Sequence, residues 1–312
     1  MGLFDKTVAS SVKFMPKAVV RKVASRYVSG ETLQQAVQEC KRLNDDGCLV
    51  TMDLLGESIE DEAHANASAD TYLDILDAIE EHQVDGNVSI KPTHFGLGLS
   101  VELFEKNVRR VLEKAGAMGN FVRIDMEDHP YTDDTLAVFR KLREEGIEYT
   151  GTVLQAMLHR TQADLEGLDD LGPNLRLCKG VYREPEEIAF QTYDDINASF
   201  IKMLEYALPK RNYYLGIATH DDPVIEAAEK IIAEHELKRE DYEFQMLLGV
   251  RQEVRKKLVD RGHRVRVYVP YGTEWYAYCV RRLKENPKFA GFVTKDVLKN
   301  PKMLFGTKAG DR

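Results

Sequence analysis

Charged, amide and aromatic side chains occur where a series of short β-rich segments end in this sequence. These residues are Asp53, Lys91, Asp125, Gln155, Arg176, Lys179, His220, Gln245 and Tyr268. Gly, Asn and Ser are the more usual residues at such exits. In a β/α barrel the carboxyl ends of the strands carry the loops that build the active site. The set therefore predicts an enzyme whose site lies at these strand ends.

The cations in this set admit more than one chemistry. A lysine desolvated inside a barrel becomes nucleophilic, so Lys91 or Lys179 could form the Schiff base of an aldolase-like lyase. Clustered cations could instead neutralise the phosphates of a cofactor or the carboxylate of a substrate, in a flavoenzyme or in a non-catalytic anion-binding barrel. Single strand-end charges also occur in structural ion pairs. His220 has no HxH or HExxH partner, so no metal site is predicted.

The segments that must position these residues alternate with longer amphipathic stretches, the pattern of a parallel sheet with helical crossovers. Eight β-rich runs begin at Cys48, Asn87, Phe121, Glu148, Leu175, Tyr214, Glu243 and Val265. Helical patterns cover residues 100–115, 132–145, 185–208, 222–235 and 250–261. Eight is the closing number of this barrel. We therefore predict an α/β fold, with a (β/α)8 TIM-like barrel in residues 47–312 and a helical segment in residues 1–46.

Composition narrows the partners and the compartment. The net charge of −9 argues against nucleic acid as a partner. The four cysteines form no CxxC pair, which fits the reducing cytosol. No apolar run is long enough to span a bilayer. Residues 1–30 nevertheless have apolar residues at helical spacing beside Lys and Arg, interrupted by Pro16. This segment could lie on an anionic membrane or cap the bottom of the barrel.

A last group follows the eighth run, where Tyr278, Arg281 and Arg282 lie at helical spacing. Paired arginines match the fork geometry of a carboxylate, although an Arg pair near a helix C-terminus also complements the helix dipole. The glycines form no GxGxxG fingerprint, so a flavin or nucleotide would have to be held by barrel loops.

The ordered motifs resemble those of proline dehydrogenase over about residues 45–290. They are Ser89-Ile90-Lys91, Arg123-Ile124-Asp125-Met126, Val153-Leu154-Gln155, Arg176-Leu177-Cys178-Lys179-Gly180-Val181-Tyr182, Thr219-His220, Phe244-Gln245-Met246-Leu247, Tyr268-Val269-Pro270 and Tyr278-Cys279-Val280-Arg281-Arg282. The sequence is similar to the monofunctional bacterial enzymes and to the corresponding domain of bifunctional proline utilization A. The resemblance implies a distorted barrel that binds FAD, with the last helix over the barrel mouth and extra helices at the N-terminus.

The resemblance also implies a role for each matched residue. Lys91, Arg281 and Arg282 would bind the carboxylate of L-proline, while Leu247, Tyr268 and Tyr278 would shape the pocket around its ring. Asp125 and Arg176 would be the catalytic pair, with Arg176 near flavin N5. The FAD-binding positions would be Met126, Gln155, Arg176, Lys179, Gly180, Val181, Tyr182, Thr219 and His220.

The reaction implied is the oxidation of L-proline to 1-pyrroline-5-carboxylate, the first step of proline degradation to glutamate, with electrons passing through FAD to a quinone. The chain is too short to include the aldehyde dehydrogenase half of proline utilization A, so a separate pyrroline-5-carboxylate dehydrogenase is expected. A cytoplasmic enzyme in peripheral contact with the inner face of the cytoplasmic membrane would fit the basic N-terminal segment. Arg183 departs from the Trp that often follows this Tyr in related sequences.

Overall fold

The computed structural model describes residues 26–56, 59, 61–276 and 278–279. Its centre is a closed barrel of eight parallel strands that neighbour one another in sequence order. The strands are β1 Leu49–Leu54, β2 Gly86–Ile90, β3 Val122–Ile124, β4 Thr150–Gln155, β5 Asn174–Cys178, β6 Tyr214–Ala218, β7 Tyr242–Leu247 and β8 Val265–Tyr271. All eight predicted runs are confirmed within two residues at each end, and the pairing of β1 with β8 closes the barrel.

Helices cover the outside of the barrel; the first precedes β1, and the others lie between successive strands. They are α1 Leu33–Asp45, α2 Glu62–Glu81, α3 Val101–Ala117, α4 Thr132–Glu144, α5 Thr161–Glu166, α6 Tyr193–Ala207, α7 Asp222–Glu234 and α8 Gln252–Asp260. The hydroxyl of Ser100 accepts a hydrogen bond from the backbone N–H of Leu103 and so starts α3. Thr192 starts α6 in the same way through Asp195. These caps satisfy N–H groups that the first helical turn leaves unpaired.

The segment before the barrel contributes α1, which begins with a capping box formed by Thr32 and Gln35. Its buried face, which includes Val37 and Leu43, belongs to the same hydrophobic core as the barrel strands. The division of the chain at residue 46 stays a prediction. Residues 1–25 and the residues beyond Cys279, where the last helix was predicted, lie outside the described residues.

The connection from β5 to α6 differs from the prediction. The sequence pattern predicted a helix over residues 185–208, but α6 begins only at Tyr193. Before it, the backbone N–H groups of Ile188 and Ala189 both donate to the carbonyl of Pro185, which makes a turn. An isolated bridge between Leu158 and Ala189 then ties this loop to the exit of β4. Contacts between loops therefore override the helical pattern at this point.

The inside of the barrel is more polar than the layers of branched apolar residues usual for this architecture. Arg123 is almost fully buried and donates through Nη1 to the carbonyls of Thr152 and Asn174, at 2.9 and 2.7 Å. Near the beginnings of β7 and β8, Arg266 Nε donates to Glu243 Oε1 at 2.7 Å. Because side chains alternate along a strand, the large apolar side chains of the strands face the helices, and charged residues line the interior.

Candidate active site

The first charged group at the mouth of the barrel is built around Asp53, whose side chain has no solvent exposure. Lys91, which follows β2, donates from Nζ to Asp53 Oδ1 at 2.6 Å. The hydroxyl of Tyr268 on β8 donates to Asp53 Oδ2. Tyr72 of α2 places its hydroxyl 3.2 Å from Asp53 Oδ1 and donates to the carbonyl of Ser89 at 2.7 Å. Asp53 therefore holds Lys91 and Tyr268 side by side.

The second group is built around Asp125, directly after β3. Its Oδ1 accepts hydrogen bonds from Ser89 Oγ at 2.6 Å and from Arg176 Nη1 at 2.7 Å. Its Oδ2 lies 3.9 Å from Lys91 Nζ. The two groups are therefore continuous, and we call Asp53, Lys91, Asp125, Arg176 and Tyr268 the mouth cluster.

Lys91 is a fixed cation in this cluster. Burial lowers the pKa of its ammonium group, but the negative charges of Asp53 and Asp125 outweigh burial, so that the pKa lies well above its ordinary value of 10.5. A nucleophilic lysine needs a lowered pKa. The geometry therefore favours an anion-binding role for Lys91 over a Schiff base.

Arg176 connects the mouth cluster to charged residues deeper in the barrel. Its Nε donates to Gln245 Oε1 at 2.5 Å, and Gln245 Nε2 donates to Glu243 Oε1 at 2.6 Å. Glu243 also accepts from Arg266 and, at 2.8 Å, from the hydroxyl of Tyr214. We call Tyr214, Glu243 and Arg266 the lower cluster, and Gln245 joins it to the mouth cluster.

Gln155 has an unused acceptor at the exit of β4. Its Nε2 donates to the carbonyl of Glu127 at 2.7 Å. Its Oε1 is buried and has no hydrogen-bond partner among the described residues. A buried acceptor without a donor is costly unless a ligand completes it. The isoalloxazine ring of a flavin has an imide N–H that could be this donor, so the residues present fit a flavin.

The exit of β5 carries further predicted cofactor contacts. Pairing with β4 continues past the strand, since the backbone N–H of Met157 donates to the carbonyl of Lys179 at 2.9 Å. Gly180 has a φ of +104°, and a Cβ there would lie 2.4 Å from Met157 Sδ, so only glycine fits without a shift. Lys179 forms an ion pair with Asp221 and lies 4.2 Å from the ring centroid of Tyr193.

The exits of β6 and β7 are joined by His220. Its Nε2 accepts a hydrogen bond from the backbone N–H of Leu247 at 2.9 Å, so a neutral ring carries its proton on Nδ1. The carbonyl of His220 accepts from Arg251 at 2.7 Å. Thr219 is buried and accepts through Oγ1 from the backbone N–H of Asp221 at 3.2 Å.

The structure brings together most of the residues that the sequence singled out. In order, Gln245, Arg176, Asp125, Lys91 and Tyr268 form one continuous chain in which each residue contacts the next. The remaining predicted positions are at the rim or buried beside it: Met126 and Tyr278 are buried, Leu247 and Tyr182 are half-buried, and Val181 is 52% exposed. Arg281 and Arg282 lie outside the described residues.

The sequence singled out Asp53 as a strand-end acid and Ser89 as part of a matched motif but assigned neither a role, and Tyr72 was not predicted. An acid inside the otherwise apolar run Leu49–Leu54 was the available signal, because burial of a carboxylate requires partners. No signal in the sequence places the hydroxyl of a helix residue such as Tyr72 against that acid.

Together, the closed parallel barrel and the charged cluster at the carboxyl ends of its strands define a β/α-barrel enzyme. The sequence profile of the proline dehydrogenase family matches residues 36–295. The chain belongs to the proline dehydrogenase family.

Relatives in this family are similar over nearly the whole chain. Proline dehydrogenase 1 of Bacillus subtilis subsp. natto is 42% identical over 297 residues, which cover 95% of this chain and 98% of that protein. The proline dehydrogenase of Deinococcus radiodurans is 39% identical over 89% of this chain and 90% of that protein.

A solved structure is similar in fold. Proline utilization A from Bdellovibrio bacteriovorus, inactivated by N-propargylglycine, superposes with a TM-score of 0.80 at 24% sequence identity over 91% of this chain. This chain spans 35% of the length of that protein, so the likeness concerns the barrel fold alone.

Proposed function

We propose that this chain oxidises L-proline to 1-pyrroline-5-carboxylate with FAD as its cofactor. Its relatives are proline dehydrogenases over nearly their full length, and the observation that carries the assignment to residues is the mouth cluster. FAD, when bound, would accept the hydride equivalent that leaves C5 of proline, while the ring nitrogen would release its proton to solvent as the C5–N double bond forms. The protein binds and orients both molecules.

Cations bind the carboxylate of the substrate. Lys91 supplies one, and its position is fixed because Asp53 and Tyr268 hold Nζ from one side and Asp125 lies on another. The resemblance adds Arg281 and Arg282 as a second contact to the same carboxylate. Several fixed cations on one carboxylate restrict the orientation of the proline ring, which lowers the entropic part of the barrier.

Residues at the exits of β4, β5 and β6 would bind the cofactor. Gln155 offers its unpaired Oε1 to a ring N–H. Arg176, held by Asp125 and Gln245, offers a fixed positive charge that would stabilise negative charge developing on a flavin bound beside it. Lys179, Thr219 and His220 would contact the rest of FAD. Asp125 orders Lys91 and Arg176 and is not required to remove a proton.

The first experiment is the visible spectrum of the FAD-loaded protein before and after anaerobic L-proline. We expect the flavin band to bleach with L-proline and to persist with L-valine, which lacks the ring. Lys91→Met should raise the proline concentration needed for half-maximal bleaching about 100-fold, because one buried charge-assisted contact is lost. Lys106→Met, which removes an exposed lysine paired with Glu62, is the matched control and should leave it unchanged.

A folded protein that takes up no FAD, or whose flavin L-proline does not bleach, would refute the proposal. Trapping of a carbonyl substrate by borohydride in the flavin-free protein would instead identify a Schiff-base lyase. Arg281→Met separates substrate from cofactor binding: it should raise the apparent KM for proline while FAD stays bound. Loss of FAD in that variant would refute its assignment to the substrate.

We further propose that the electrons pass to a quinone and that a separate pyrroline-5-carboxylate dehydrogenase consumes the product. No helix in the described part of the chain is long and apolar enough to cross a membrane. Access to a membrane quinone from the cytoplasm would then depend on peripheral contact, and the basic residues of the segment 1–30 offer it. Binding to vesicles that contain anionic lipid should fall when residues 1–30 are deleted, and unchanged binding would contradict this part.

A further inference from the structure

A chain of buried hydrogen bonds runs from Arg176 into the barrel through Gln245, a residue to which the family resemblance assigns no role. Gln245 accepts from Arg176 Nε at 2.5 Å and donates to Glu243 at 2.6 Å. Gln245 is 6% exposed, Glu243 1% and Arg176 9%. Water therefore competes little for these bonds, and the geometry of the amide determines where the guanidinium lies.

The orientation of the Gln245 amide is forced by its two neighbours. Arg176 can only donate, so it requires the carbonyl oxygen of the amide. Glu243 is held as a carboxylate by Arg266 and by the hydroxyl of Tyr214, so it can only accept and requires the amide NH2. A flipped amide would place donor against donor and acceptor against acceptor. A single orientation satisfies both sides.

Gln245 fixes the plane of the Arg176 guanidinium, which Asp125 alone would not do. Asp125 and Ser89 accept from Nη1 only, and one attachment point leaves the group free to rotate. The bond from Nε to Gln245 adds a second point on the same planar group. Among the described residues, the acceptors for Arg176 occupy Nε and Nη1, so that Nη2 remains for a ligand at the mouth.

The barrel also has a space shaped for this amide. Arg176 pairs with Gly216 in the register of β5 and β6, and Gly216 pairs with Glu243 in that of β6 and β7. A Cβ at position 216 would lie 2.4 Å from Gln245 Nε2. Any larger residue at 216 would therefore displace the amide from Arg176, from Glu243 or from both.

We propose that Gln245 is a positioning residue that fixes the guanidinium of Arg176 against the flavin and connects it to the Glu243–Arg266 ion pair. The inference rests on the proposed function, because it assumes that Arg176 faces FAD. A correctly placed cation stabilises negative charge on the reduced cofactor more than on the oxidised one. Displacing the cation should therefore lower the reduction potential of the bound flavin and slow its reduction, with little effect on the binding of proline.

The test compares the FAD-loaded wild type with Gln245→Met, which removes both bonds, and Gly216→Ala, which keeps Gln245 but displaces its amide. Gln191→Met is the control, because Gln191 bonds backbone carbonyls in the loop before α6. In both test variants we expect the affinity for the reduced cofactor to fall about tenfold relative to that for the oxidised cofactor. For a two-electron couple this makes the reduction potential about 30 mV more negative. The maximal rate of flavin reduction by proline should fall at least tenfold. The proline concentration at half-saturation should change less than threefold. Gln191→Met should match the wild type in all three quantities.

An unchanged potential in Gly216→Ala, with FAD bound and the fold intact by circular dichroism, would overturn the inference even if Gln245→Met failed to fold. The potential is measured with dithionite and a reference dye, so it does not depend on proline. A wild type that proline does not reduce would refute the proposed function, while the shift in potential would still decide the role of Gln245.

Discussion

The barrel interior contains two clusters of acids and cations that resemble each other in composition and differ in what surrounds them. In the lower cluster the side chain of Glu243 is 2% exposed, and Arg266, Tyr214 and Gln245 all donate to it. In the mouth cluster the side chain of Asp125 is 15% exposed and that of Lys91 is 20% exposed. At the same end of the barrel as the mouth cluster, Gln155 Oε1 is a buried acceptor without a hydrogen-bond partner among the described residues.

Pairing alone does not distinguish a binding site from a structural ion pair. A cluster whose members satisfy one another and exclude water contributes to folding, and breaking it leaves a buried charge alone. A cluster with accessible charges and an unused acceptor can still bind a ligand. Changes in the lower cluster should therefore reduce stability, and changes in the mouth cluster should reduce activity.

The largest expected effect is the loss of Arg266. Arg266→Met leaves the Glu243 carboxylate buried without its cation and removes the hydrogen bond from the guanidinium to the carbonyl of Val50. Such a break costs about 3–5 kcal/mol, which urea unfolding would measure. Arg176→Met is the matched change at the mouth and should cost less, because Asp125 keeps Ser89 and is partly exposed.

The double variant Glu243→Leu with Arg266→Met tests the cause. If the cost of Arg266→Met comes from an unpaired charge, the second change should restore at least about 2 kcal/mol, since a buried ion pair can be replaced by apolar residues at little cost. Strictly additive losses from the two single changes would contradict this explanation.

The second effect is the pH dependence that Glu243 contributes. Burial alone would raise the pKa of its carboxyl group, but the charge and hydrogen bond of Arg266, with the donors Tyr214 and Gln245, lower it from 4.5 to about 2. A lowered pKa in the folded state gives stability that is present above the unfolded value and is lost as pH falls towards the folded value. The stability difference between wild type and Glu243→Gln should therefore shrink by about 2 kcal/mol between pH 6 and pH 3.

Urea unfolding at several pH values measures this difference, and subtraction removes the contribution of the other carboxyl groups. A difference that stays constant down to pH 3 would show that Glu243 is not held as a carboxylate in the folded protein. It would also remove the reason for a forced orientation of the Gln245 amide.

The sequence predicted the barrel well because its signals are local. β-Rich runs and helical periodicity alternate eight times, and each run, such as Val265–Tyr271, needs only its own residues to be recognised. The failure at residues 185–192 has the opposite cause. Those residues have a helical pattern, but contacts with the exit of β4 through Leu158 and with the loop near His129, through Glu184, hold them in another conformation.

The sequence predicted which residues belong to the site but not which of them pair with one another. Position at a strand exit identified Lys91, Asp125 and Arg176, because all exits of a parallel barrel meet at one end. Which acid meets which cation depends on the stagger of the strands and on side chains from the helices, and neither is written in a local pattern. The sequence therefore gave no means to separate the Asp125–Arg176 pair from the Glu243–Arg266 pair.

At the mouth cluster the expected effect is on catalysis, through Asp125→Asn. The amide keeps one acceptor for Ser89 or Arg176 but loses the charge that orders Lys91 and Arg176. We expect kcat/KM for proline to fall about 100-fold, equivalent to about 2.7 kcal/mol of transition-state stabilisation, at a cost in stability of about 1–2 kcal/mol.

Asp169→Asn is the matched control for that change. Asp169 accepts from Lys210 and Tyr206 at 2.5 and 2.6 Å in the connection that precedes β5, at the opposite end of the barrel. This variant should lose stability and keep its activity. An equal loss of activity in both variants would show that the effect of Asp125→Asn is general destabilisation.

The smallest effect is expected outside both clusters, on the surface of α8. Lys256 pairs with Asp260 at 3.0 Å, one helical turn away, and the side chains are 75% and 57% exposed. Water screens this pair and ordering two long side chains opposes it, so Lys256→Ala should change stability by about 0.5 kcal/mol or less and leave turnover of proline unchanged. The free energy of unfolding is measured with urea in low salt, where screening is weakest and the contribution of the ion pair is largest. A loss near that of Arg266→Met would mean that charge pairing itself, and not the exclusion of water around it, sets the stability of the lower cluster.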